Sequence, residues 1–85
     1  MPEANMKCWI GNIAPGTSDE EIKALVKKYA PELTCTHLEH VEGTGSRPGV
    51  LLELAGGEGA VENLTRRLNG MYWKERMLVS SRLGI

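Results

Sequence analysis

An α+β sandwich, with one four-stranded antiparallel sheet backed on a single face by two helices, is the fold class this sequence predicts. Three observations carry it. Short runs rich in alternating apolar and β-branched residues stand at 7–13, 33–41, 49–54 and 77–81. Segments with apolar residues at helical spacing follow the first and the third of these runs. The resulting order, βαββαβ, contains two strand–helix–strand crossovers on one sheet, and crossover handedness puts both helices on the same face. The other face is left uncovered.

The first run, KCWIGNI, has apolar Cys8, Ile10 and Ile13, which give the strand a reason to be buried. Trp9 lies between them, so strand alternation turns it to the opposite, uncovered face. After the loop APGT, Ser18 precedes Glu21 by three residues, a capping-box pattern that opens the first helix. Ile22, Leu25, Val26 and Tyr29 give this helix an apolar side, and Pro31 stops it. Acidic residues come first in it and lysines last, which complements the helix dipole.

LTCTHLEHV is the second strand, EGTGSRPG a loop, and GVLLEL the third strand. AGGEG turns into the second helix, lined by Ala60, Val61, Leu64 and Leu68 and closed by Asn69-Gly70 in the left-handed conformation. MYWKER then leads to MLVSS, the fourth strand. Residues 1–6 are expected as a flexible N-terminus, 7–82 as the domain and 83–85 as a short tail.

Eighty-five residues with 41% hydrophobic content suit one small globular domain. No apolar run reaches membrane-spanning length and no signal pattern opens the chain, so a cytoplasmic protein with no membrane partner is expected. Two cysteines are too few for a disulfide framework or a closed zinc site, and both read as reduced thiols. A net charge of −1 excludes a broad basic surface of the kind that grips duplex DNA. Any nucleic acid must be held by a few local contacts.

Over residues 7–82 the chain resembles the RNA recognition motif, a ferredoxin-like sandwich. CWIGNI is similar to the family's first-strand hexamer, and LNG at 68–70, with Arg76 and Leu78 beyond it, is similar to the segment before the fourth strand. RPGVLLEL at 47–54 falls where the third-strand octamer belongs. The octamer departs from the family pattern: Arg47 matches its first position, but Pro48 replaces a glycine, and Gly49 and Leu51 occupy the places of two stacking aromatics. The chain contains no phenylalanine to compensate.

The resemblance implies that Trp9 stacks an unpaired base and that Arg47 meets a phosphate. It places His37, Glu39, Leu51 and Glu53 on the same open face, with Lys7 and Arg82 adding positive charge near the sheet edge. The expected RNA-contacting set is thus Trp9, Arg47, Leu51, His37, Lys7 and Arg82. Leu51 offers apolar contact without a π-face, and Glu53 repels phosphate. Trp73 is expected in the core, and Tyr72 beside it on the surface. By the family's strand order, Cys8 and Cys35 fall on non-adjacent strands and on opposite faces, which forbids a disulfide between them.

No catalytic constellation, Walker motif or dinucleotide glycine pattern is present, so neither enzyme activity nor a cofactor or metal is expected. Two other families share the element order. Metal carriers need a paired-cysteine loop and acylphosphatases an arginine after the first strand, and APGT supplies neither. The expected function is non-catalytic binding of short single-stranded RNA by a monomer, with single-stranded DNA a chemically related ligand. The alternative is a divergent member that binds another protein through its sheet or helices. A small prokaryotic RNA-binding protein would have this layout, as would a nuclear one if eukaryotic or a domain cut from a longer chain.

Overall fold

The computed structural model describes residues 5–41 and 48–83. Eight elements follow one another: β1 (Asn5–Gly11), α1 (Asp19–Tyr29), β2 (Thr34–Val41), β3 (Gly49–Ala55), α2 (Glu58–Leu68), β4 (Tyr72–Trp73), β5 (Arg76–Met77) and β6 (Val79–Leu83). The main sheet has the order β2-β3-β1-β6, antiparallel throughout, and β4 pairs with β5 in a separate hairpin. Both helices pack on one side, and the α+β class expected from the sequence is what the chain adopts.

The helix-side core is built from alternate strand residues. Cys8 and Ile10 of β1, Val50, Leu52 and Leu54 of β3, and Leu78 are almost fully buried. They meet Ile22, Leu25 and Val26 of α1 and Val61, Leu64 and Leu68 of α2. Each such aliphatic side chain contributes roughly 1.5–3 kcal/mol relative to exposure. The capping box forms as the sequence predicts: Glu21 N donates to Ser18 Oγ at 3.2 Å, and Ser18 N donates to Glu21 Oε1 at 2.9 Å.

Several boundaries differ from the sequence reading, each for a local reason. β1 spans Asn5–Gly11 rather than 7–13, because Asn12 turns the chain out of the sheet at φ 61°. Ile13 is still buried, and its N–H donates to Pro48 O at 3.1 Å. At the end of α2 only Gly70 is left-handed (φ 86°), while Asn69 is extended. MYWKER is not a plain connection: it forms the β4–β5 hairpin around Lys74 and Glu75, whose positive φ values of 51° and 66° are those of a type I′ turn. The last strand of the main sheet is shifted to Val79–Leu83, since Leu78 pairs back with Gly70 and Met71 before the chain joins β1.

The thiols are free, but they lie on the same face of the sheet, not on opposite ones. A bulge at Thr36 advances the register of β2, so that Cys35 sits opposite Leu54 while His37 sits opposite Glu53. Cys35 therefore turns toward the helices, as Cys8 does opposite Leu52. The intervening strand β3 keeps them apart. Burial pushes the Cys8 thiol up, its hydrogen-bonding contact with Ser80 Oγ opposes, and it behaves as a small core residue.

Candidate nucleic-acid interface

Register and alternation arrange the uncovered face as three rows across the sheet. Val41, Gly49, Gly11 and Val79 form one, Glu39, Leu51, Trp9 and Ser81 the next, and His37, Glu53, Lys7 and Leu83 the third. Trp9 is thus flanked by Leu51 on β3 and Ser81 on β6, in the middle of the face.

The indole does not stand up from its own row. It lies over the neighbouring row of glycines: a Cβ at Gly49 would collide with Trp9 Cη2 and Cζ2, and one at Gly11 would sit 2.8 Å from its Nε1. Val79 Cγ2 borders the same spot, 3.4 Å from that Gly11 position. Two residues without side chains form a floor, and the partly buried ring rests against it. Gly49 occupies an octamer position of a missing aromatic, so the vacated space is filled by the aromatic of β1. Sequence reasoning missed this floor because it depends on cross-strand register, although a glycine at that octamer position was the available signal.

The other expected site residues divide. Lys7, His37 and Leu51 are on the open face, Lys7 and His37 exposed and Leu51 partly covered beside Trp9. His37 Nε2 lies 3.7 Å from Glu39 Oε1 along the strand. Arg82 does not join them. It falls inside β6 opposite Cys8, which turns it to the helix side, where its Nη1 lies 3.4 Å from Glu58 Oε2 of α2. That nitrogen is buried and close enough for an ion pair, though not aligned as a hydrogen bond. Because the strand runs to Leu83, Arg82 lies within it, in register with the inward-facing Cys8. Arg47 lies outside the described residues.

Among the described residues the open face carries Lys7 against Glu39 and Glu53, and is mildly acidic with neutral histidine. Beside His37, Ser81 and Trp9 it exposes three aliphatic residues, Val41, Val79 and Leu83. Asn12, the hexamer asparagine, has a supporting role: its Nδ2 donates to Met77 O at 2.9 Å, and Arg76 Nη1 makes a longer 3.4 Å bond to its Oδ1. Trp73 is partly buried against the core, as expected, and Tyr72 is exposed.

No family model and no curated protein matches the sequence. Solved structures do match the fold. A structure of Pes4 RRM3 superposes with a TM-score of 0.76 at 14% identity, covering 93% of this chain and 92% of that one. The solution structure of Plasmodium falciparum SR1-RRM1 in complex with ACAUCA RNA gives a TM-score of 0.67 at 11% identity, covering 96% and 88%. At such identities the likeness is one of fold, and it agrees with the strand order and the two one-sided helices: this chain folds as an RNA-recognition-motif-like domain.

Proposed function

We propose that this domain binds short single-stranded RNA on the open face of its sheet, as a monomer and without catalysis. The observation that carries the reading is the Trp9 indole, which leans over Gly11 and Gly49 on the open face and keeps part of its surface exposed. An unpaired base stacks on such a ring, and any base will do, because every base has a π-face. Leu51 and Val79 border the ring and exclude water from the stack. Lys7 and Arg47 serve the phosphates, and His37 at the far edge offers a further ring or hydrogen-bonding group. The fold shared with SR1-RRM1, whose structure holds RNA, supports the reading.

The test is affinity for degenerate single-stranded RNA, with the DNA counterpart as competitor. One stacking contact is worth about 1–3 kcal/mol, so Trp9→Ala is expected to weaken binding on the order of tenfold or more. Equal affinity of the parent and Trp9→Ala would sink the proposal.

A second reading, a protein-binding sheet, is favoured by one specific observation: the face is aliphatic and mildly acidic, with Val41, Val79 and Leu83 exposed and two carboxylates to one described lysine. It predicts a stable homodimer or co-purifying protein, and no salt-sensitive affinity for RNA.

A further inference from the structure

The β4–β5 hairpin has one side that the proposed function leaves unused. Tyr72 and Met77 stand directly opposite each other in its ladder, so their side chains leave it on the same side. They are 69% and 60% exposed, more than any other large apolar residue described. Trp73 and Arg76, the next pair, take the other side, where Trp73 packs against the core.

Alternation along the chain ties the exposed side to the sheet. Leu78 is buried in the core, Ser80 Oγ donates to Trp9 O at 2.9 Å, and Arg82 reaches Glu58, all on the helix side. Val79, Ser81 and Leu83 therefore share the open side, and Met77 comes just before them, across Leu78. Met77 stands two residues before Val79, at most about 7 Å away along the chain. The exposed Tyr72–Met77 pair, on its own two-stranded sheet, thus adjoins the end of the open face at Val79, which is 52% exposed. The Trp9 ring leans toward this end, since it covers the row containing Val79 rather than its own.

The ledge is also held in place. Asn12 Nδ2 fixes Met77 O to the end of β1, and Gly70 N and Leu78 N close the hairpin base at 2.7 and 2.8 Å. At the turn, Lys74 Nζ donates to Glu21 Oε2 of α1 at 2.7 Å. An aromatic on a fixed support loses little freedom on binding, which favours affinity.

We propose that the Tyr72–Met77 ledge is a second base-binding site, which takes an unpaired nucleobase on the phenol ring with the Met77 thioether against it. The ligand is then at least two unpaired nucleotides, one on Trp9 and the other on Tyr72, and the hairpin supplies an aromatic platform that β3 lacks. This inference rests on the open-face RNA reading.

The test uses the 85-residue chain and fluorescently labelled degenerate single-stranded RNA hexamers, followed by anisotropy, with Tyr72→Ala, Tyr72→Phe and Trp9→Ala beside the parent. Amide spectra establish that each variant is folded. Tyr72→Ala is expected to weaken binding roughly tenfold, and Tyr72→Phe to stay within about twofold of the parent because it keeps the ring. If Tyr72→Ala binds as tightly as the parent while Trp9→Ala is weakened, the ledge site is wrong and the open-face reading survives. If neither variant changes the affinity, both are wrong.

Discussion

A Cβ at Gly49 would run into the Trp9 ring on one side and approach to 2.9 Å of Ile10 O on the other. The ring is the free end of a side chain and gives way first; the backbone oxygen does not. Gly49→Ala is therefore expected to lift the indole from the sheet, change its fluorescence, and cost about 1 kcal/mol in denaturant unfolding, at the low end for overpacking. Emission and stability equal to the parent's would contradict the contact of the ring with Gly49. That Trp9 faces outward was legible from the neighbouring Cys8 and Ile10 alone. That it leans over the glycines was not, because the space it occupies is left in part by a residue 40 positions away, brought there by the β1–β3 register.

Among the elements, α1 shows how much a local signal can fix. Ser18 and Glu21 announced the helix start, and both reciprocal bonds form. Ser18→Ala is expected to cost about 1 kcal/mol, measured by denaturant titration; an unchanged midpoint would mean the cap contributes nothing. The hydrogen bond from Lys74, and after it the one from the Ser18 backbone, hold the Glu21 carboxyl below its ordinary range. A carboxylate depressed in the folded state stabilises above its unfolded pKa, and that contribution fades as pH falls through the folded value. The advantage of the parent over Glu21→Gln should accordingly be full at neutral pH and shrink in acid; a gap independent of pH would contradict this. The β4–β5 hairpin was not legible in the same way. Its type I′ turn uses Lys74-Glu75 in place of the asparagine and glycine that mark such turns, and a tie to Glu21 on α1 helps hold it. The bulge at Thr36 was equally silent, and it alone reversed the expected side of Cys35.

For the whole molecule, the near-zero net charge was plain from composition, but its division between the two faces needed the fold. The last turns of the helices carry Lys27, Lys28, Arg66 and Arg67, whereas the described open face has Lys7 as its lysine. Binding on the open face, with Arg47 included, neutralises about one or two phosphates, so log K should fall with log salt at a slope of roughly −0.7 to −1.4. A slope steeper than about −3 would instead require the basic helix ends. The order of the six principal elements was readable from periodicity, and the absence of octamer aromatics from the residues themselves. What replaced those aromatics emerged only when the strands were set side by side.

The most direct measurement is an amide-shift titration of the isotope-labelled chain with short degenerate single-stranded RNA. The account predicts shifts concentrated at Trp9, Gly11, Gly49, Leu51 and Val79, weakening as salt rises and lost in Trp9→Ala. A sheet that stays silent at saturating RNA, or shifts confined to α1 and α2, would contradict it.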